Sequence, residues 1–434
     1  MVTFSSDVSQ NEYLSEGATD VHAVVTVNAV ADEAGAGAVP GGPTGAGQVG
    51  AGPGTAEVII IDSSGSMGGK KIIEARQAAA VAIDTLPDGV AFAVVSGDSS
   101  ARVVYPTSGT GLAEASAATR SAAKDAVRGV QADGGTAIGQ WLTLTRSLMT
   151  TRPGAARHAI LLTDGQNGES EQVFAAALAQ CEGVFQCDCR GVGADWRVSE
   201  LRRIASLLLG SVELLRTPEQ MADDFRAVVA AATARAVPDV TLRLWTPRGA
   251  TVRFLRQVYP EVDDLTGRGS DVDERIRDYP TGAWGAGTRE YHLCVDVVPG
   301  PVGTRKLAAR VTLVADDTRL SESLVLAVWT DDADLSTRIN GKVAHYTGQA
   351  ELAQVIQEGI EARTRGDEAT AATKLGRAAQ LAAETDDEGT LRRLARVVDI
   401  DDPATGQVRL RRNIDALDEM DLDVSSTKTV PAKR

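Results

Sequence analysis

The chain has 434 residues, 43% of them hydrophobic and 24% charged, the balance of an ordinary globular protein. At about 100–200 residues per domain, that length predicts two or three domains, each with its own core. Lys plus Arg total 44 and Asp plus Glu total 59, giving a formal charge of −15. A nucleic-acid binder needs a concentrated basic surface to displace counterions from phosphate, so this balance argues against nucleic acid as a partner.

Four cysteines in a chain of this length cannot form the disulfide framework of a small secreted domain. The start, MVTFSSDVSQNEYL, lacks the basic and apolar regions of a signal peptide, and no apolar run reaches the roughly 18–20 residues that span a bilayer. The expectation is a cytoplasmic protein with no membrane partner.

Residues 1–33 read as N-terminal strand sequence. Over 22–30, His22, Val24, Thr26 and Asn28 alternate with Ala23, Val25, Val27 and Ala29, the period of two of a strand. Residues 34–55 are rich in Gly, Ala and Pro and cannot bury enough apolar surface to offset their ordering entropy. They read as a mobile linker or loop.

From 56 to 236, short apolar runs alternate with longer helical periods. Strands are expected at 57–62, 91–97, 158–164 and around 187–193, and helices at 70–86, 112–129, 138–149, 170–180, 197–208 and 218–236. Such alternation calls for a mostly parallel sheet with helices on both faces. Residues 237–332 change to strand-like runs at 240–247, 251–260, 289–298, 306–315 and 323–331, which suggest a β-sandwich. The strand near 22–30 has no partner before the linker. It would complete this sandwich and make the α/β unit an insertion. Residues 333–400 read as helical, with two helices meeting at Gly366 and a third over 390–398, and 401–434 as a flexible tail.

Two strand ends carry chemistry. Val58-Ile59-Ile60-Ile61 stops abruptly at Asp62-Ser63-Ser64-Gly65-Ser66, and Ile160-Leu161-Leu162 stops at Thr163-Asp164-Gly165. In an open α/β sheet, ligands sit beyond the carboxyl ends of strands where the strand order reverses. If these strands are neighbours there, Asp62 and Asp164 face each other, and the loop Asp133-Gly134-Gly135-Thr136 can bring a hydroxyl to the same place. Two carboxylates and three hydroxyls, without His or Cys, form an all-oxygen donor set of the kind hard cations such as Mg²⁺ prefer. With few charged ligands, such an ion keeps positive character and an open position that a partner's carboxylate would fill.

Asp-x-Ser-x-Ser at 62–66, Gly-Gly-Thr at 134–136 and Thr-Asp-Gly at 163–165 together resemble the von Willebrand factor type A domain and its metal-ion-dependent adhesion site. The resemblance implies a Rossmann-like fold over about residues 56–235 and a site for Mg²⁺ or Mn²⁺ at Asp62, Ser64, Ser66, Thr136 and Asp164. In that pattern Ser64, Ser66 and sometimes Thr136 ligate directly, while Asp62 and Asp164 often act through water. The flanking parts resemble bacterial, especially actinobacterial, proteins that carry this module in signalling or stress systems. That context suggests Ser/Thr kinases, metal-dependent Ser/Thr phosphatases or proteins with forkhead-associated domains as partners. Thr427 and Thr429 in the tail would then be candidate phosphothreonines, though a solvated end is the simpler reading.

Other readings fit less well. One helix N-cap would explain one residue of Asp62, Ser64 and Ser66 but leaves Thr136 and Asp164 without a role. A P-loop needs Gly at position 64 and a hydroxyl at 71, where the chain has Ser64 and Lys71. A hydrolase with Ser66 as nucleophile would use Asp164 and then His292 or His345, but Ser64 spoils the G-x-S-x-G elbow. That hydrolase, or a metal-assisted phosphotransferase, is the alternative to a non-enzymatic binding protein. Cys181, Cys187 and Cys189 lack paired zinc spacing and read as small buried residues, as does Cys294.

Overall fold

Thr55–Asp62 (β1) is buried at every position after the first, as a strand covered by helices on both faces must be. The computed structural model describes residues 2–31, 48–49, 54–235 and 237–432. The stretch expected as a linker, 34–55, therefore lies almost wholly outside the described residues. Its exceptions are the strand Gln48–Val49, paired with Val2 and Thr3, and residues 54–55. The chain divides into two units: Gly50–Asp239 with Gly282–Gly285, and Met1–Val49 with Val240–Thr281 and Ala286–Arg434.

In the first of these, β1 is followed by α1 (Lys70–Thr85), β2 (Ala91–Gly97), β3 (Ala101–Tyr105), α2 (Ala117–Arg128) and α3 (Ile138–Met149). Then come β4 (Ala156–Thr163), α4 (Glu171–Cys181), β5 (Gln186–Val192), α5 (Val198–Leu207), β6 (Val212–Leu215) and α6 (Met221–Thr233). The sheet runs β6-β5-β4-β1-β2-β3. Its pairs are parallel except β2 with β3, and the short strand Ala113–Glu114 also pairs antiparallel with β2. Strands β3 and β6 escape periodicity because they are short edge strands in which buried and half-exposed residues do not alternate. Strand order reverses between β1 and β4, whose register sets Ile61 opposite Leu162. Ile59, Ile61, Phe92, Ile160 and Leu162 pack with Ile72, Ala75, Ala79, Ile83 and Phe225 from α1 and α6, the small alanines letting α1 lie close to the sheet.

The sheet also buries charge. His158 on β4 places Nδ1 2.9 Å from both carboxylate oxygens of Glu57 on β1, and Nε2 2.8 Å from Asp188 on β5. Burial alone would lower the pKa of His158, but the two carboxylates override it and hold the imidazole above its ordinary value. Burial opposes the charge on Asp188 as well, yet His158, Arg190 and Arg235 keep its carboxyl well below the usual range. Burial pushes Glu57 up.

The second unit is a β-sandwich with helices. One sheet orders Asp263–Asp264, Thr251–Tyr259, Gly287–Asp296, Asp20–Ala31, Val2–Gln10 and Gln48–Val49. The other orders Ser270–Asp273, Ile276–Pro280, Thr241–Trp245, Arg305–Ala315, Thr318–Thr330 and Tyr13–Ser15. Strand Asp20–Ala31 pairs with Gly287–Asp296 and with Val2–Gln10, so the chain on both sides of the α/β unit builds one sheet. Val21, Ala23, Val25 and Val27 are buried on one face, while on the other Val24 packs with Val258, Val343 and Tyr346. The last two belong to α7 (Gly341–Thr364), which is followed by α8 (Glu368–Glu384) and α9 (Glu388–Val397).

Residues 401–434 differ from the flexible tail the composition suggests. Val398–Asp402 and Gln407–Leu410 form a hairpin, and α10 (Ala416–Ser425) buries Leu422 against Leu394 and Val397. Beyond it, Val262 N donates to Thr427 O, and Thr429 donates from its N to Pro260 O and from its Oγ1 to Val258 O (2.6 Å). A polar composition hid these bonds because each joins the tail to a partner more than 160 residues away. All four cysteines are free and buried, and no helix among the described residues is long and apolar enough to cross a membrane.

Candidate metal centre

The end of β1 delivers Asp62 to the reversal point as the last of seven consecutive buried residues, with no exposed surface. Its Oδ1 accepts from Ser64 N (2.7 Å) and its Oδ2 from Thr163 Oγ1 (2.5 Å). Burial pushes the Asp62 carboxyl up from its ordinary value, and the bonds from Ser64 and Thr163 oppose that rise. The chain then makes one turn of 3₁₀ helix, Gly65–Met67, with Ser64 in extended conformation at its head. That turn brings Ser64 Oγ and Ser66 Oγ to 3.0 Å from each other. Ser66 Oγ donates to Asp164 Oδ1 (2.6 Å), which joins the two strand ends across the crevice.

The third loop is tied to the first by backbone. Asp133 N donates to Ser63 O (2.8 Å) and Gly65 N to Gly134 O (2.9 Å). Gly134 has φ +76°, a left-handed conformation that favours glycine and turns the chain toward Thr136. Thr136 is in turn tied to the loop after β4, where Gly168 N donates to its carbonyl (2.7 Å). A Cβ on Gly165 would come 3.1 Å from Thr136 Oγ1 and 3.5 Å from Ser66 Oγ, so the bare Gly165 keeps space beside both hydroxyls. The structure thus brings Asp62, Ser64, Ser66, Thr136 and Asp164 together.

Several residues of this surround were not singled out by the motifs. Ser63 Oγ lies 2.7 Å from Ser96 Oγ near the end of β2, and Ser99 Oγ in the turn after it accepts from Gly135 N (2.7 Å), so the end of β2 and its turn support both site loops. Asn167 Oδ1 and Glu169 Oε2 accept from Ile138 N and Gly139 N at the start of α3. Lys71, considered only as a failed P-loop position, sets its Nζ 2.5 Å from Asp164 Oδ2. No signal in the sequence points to that pair, because the partners lie 93 residues apart.

The donor set suits a hard cation. Among the described residues no group of three or more His, Cys, Asp or Glu side chains is placed to hold a metal, so hydroxyl oxygens must complete any site here. The three hydroxyls supply them beside two buried carboxylates, an all-oxygen environment of the type Mg²⁺ takes with some water retained. That Lys71 has drawn its ammonium against Asp164 shows the crevice to favour positive charge.

A solved structure described as von Willebrand factor type A from Catenulispora acidiphila is 49% identical, covering 99% of this chain and 97% of that one, with a TM-score of 0.91. The chain belongs to the von Willebrand factor type A family. Residues 57–214 match the family's type A domain model, and 380–426 match the model of a von Willebrand factor type A C-terminal domain. The second match runs from the end of α8 through α10, the region that folds as helices and a hairpin. The ArnB paralog VWA2 from Sulfolobus acidocaldarius shares the fold at 14% identity, with 98% of each chain covered and a TM-score of 0.56. An uncharacterized protein of Synechocystis sp. is 26% identical over 225 residues, a stretch spanning 50% of this chain and 52% of that protein. The α/β unit is therefore a von Willebrand factor type A domain, a module typically used for protein interaction.

Proposed function

We propose that this von Willebrand factor type A protein is a non-enzymatic binding or scaffold protein that engages a partner's Asp or Glu carboxylate through Mg²⁺ or Mn²⁺. Ser64, Ser66 and Thr136 would be the direct ligands, with Asp62 and Asp164 orienting waters and hydroxyls around them. A bound dication supplies Lewis acidity and an open coordination position. The observation that carries the reading is the convergence of three hydroxyls and two buried carboxylates at the reversal of strand order. A groove of about 410 Å³ starts at Asn167, three residues after Asp164, and is lined also by Glu169, Phe174, Arg197, Glu200 and Arg203. It offers both charge signs to residues flanking the partner's carboxylate.

The surroundings of Ser66 support a non-enzymatic role. Its hydroxyl donates to Asp164, and the histidine of the same unit, His158, is held by Glu57 and Asp188 near the amino-terminal ends of the strands. His292 and His345 belong to the other unit. A cytoplasmic signalling or stress-response complex is the setting we infer, with a Ser/Thr kinase, a metal-dependent Ser/Thr phosphatase or a forkhead-associated-domain protein as candidate partner. The test is a pull-down from the source cell with and without chelator, using wild type and Asp62→Ala. Partners should be retained only by wild type and only with Mg²⁺ or Mn²⁺. Retention that ignores both the chelator and the substitution, or labelling of Ser66 by a serine-directed activity probe, would overturn the proposal.

A further inference from the structure

Lys71 lies in the first turn of α1, with Nζ 2.5 Å from Asp164 Oδ2 and 3.8 Å from Asp195 Oδ2. The Asp164 side chain has no exposed surface, whereas that of Asp195 is 77% exposed. The second Asp164 oxygen accepts from Ser66 Oγ, which stands 3.0 Å from Ser64 Oγ. One hydrogen-bonded chain thus joins the ammonium to two of the hydroxyls assigned above to the metal. Helix stability does not account for a cation here. The positive end of a helix dipole disfavours lysine, and the first turn of α1 holds Lys70 and Lys71 with no acidic residue. Lys70 turns outward to Glu219, while Lys71 turns inward to the crevice.

Resting on the metal reading of the site, we propose that Lys71 is a built-in competitor of the divalent ion, seated on Asp164 when the metal is absent and moved to Asp195 when it binds. Two cations a few ångströms apart beside one buried carboxylate repel strongly, because little solvent screens them. Asp195, at the rim and already within 4 Å of the ammonium, is the acceptor that makes the exchange possible without stranding a charge. Lys71 therefore holds metal affinity down. A partner's carboxylate adds negative charge at the same place, so metal and partner load the site together.

The experiment is a Mn²⁺ titration of the full chain, read as free Mn²⁺ by electron paramagnetic resonance, on wild type, Lys71→Met, Lys71→Arg and Asp195→Asn. Lys71→Met should bind Mn²⁺ about tenfold or more tightly than wild type, and Lys71→Arg should stay near wild type. Asp195→Asn, at an exposed position that leaves folding intact, should bind more weakly than wild type. Adding Asp62→Ala to Lys71→Met should abolish the gain, which locates it at this site. If wild type binds and loses the ion with Asp62→Ala, while Lys71→Met binds no more tightly, the competitor role is wrong and the metal reading stands. If no variant binds Mn²⁺, both fall.

Discussion

Asp62 and Asp164 face one crevice but are paired differently. Neutral donors, Ser64 N and Thr163 Oγ1, occupy both oxygens of Asp62, so its charge is held by hydrogen bonds alone. Asp164 shares itself between Ser66 and a lysine. Asp62 is therefore the residue whose removal should most directly cost metal affinity. Gly165 is the subtler lever, since a methyl there would meet the Thr136 hydroxyl at 3.1 Å. Gly165→Ala should weaken Mg²⁺ binding about 10-fold, measured by calorimetry, while leaving the melting temperature in chelator nearly unchanged. The motif residues were legible in the sequence because they stand at fixed spacings on strand ends. Lys71 was not, because a lysine in a helical pattern reads as solvated until its distant partner is known.

At the scale of elements, the reversal between β1 and β4 turns two sequence-distant strand ends into one crevice. These two strands, with β5 beside β4, carry the Glu57–His158–Asp188 cluster near their other end. A histidine whose folded pKa is raised contributes stability that is fully present below about pH 6.5 and is lost as pH rises through the folded value. Asp188, lowered in the fold, keeps its contribution at neutral pH and loses it only in strong acid. Thermal melts from about pH 6 to pH 9 should show wild type losing stability with rising pH. His158→Gln, which strands the buried carboxylates, should cost about 3–5 kcal/mol at the acid end and flatten the dependence. A variant as stable and as pH-sensitive as wild type would remove the cluster from the stability account. Sequence periodicity could not reveal this network, because His158 occupies a buried strand position among apolar residues and its partners lie 101 and 30 residues away.

For the molecule as a whole, a ligand that binds only the folded state raises stability by mass action. Mg²⁺ at about 100 times its dissociation constant should add about 2.7 kcal/mol, seen as a higher melting temperature that chelator reverses and Asp62→Ala abolishes. An unchanged melting temperature in saturating Mg²⁺ would count against the site. The sandwich raises a different point at this scale. Strand Asp20–Ala31 finds its neighbour Gly287–Asp296 only after the whole α/β unit has been made, so its sheet depends on closing a long loop.

Read alone, the chain determined its classes of structure and its chemistry: periodicity of hydrophobic residues separates the parallel α/β region from the sandwich and helices, and the spacing of Asp, Ser and Thr names the oxygen donors. These are local properties, written within a few residues of one another. Tertiary structure decided what depends on distant partners. It set the order of strands that brings Asp62 beside Asp164, the lysine that shares Asp164, the buried histidine between two carboxylates, and the hydrogen bonds that hold residues 427–429 in place. Each is a pairing across tens or hundreds of residues, and the physical cause is the same: hydrogen bonds and charges are satisfied by whichever group folding brings near, which no local pattern records.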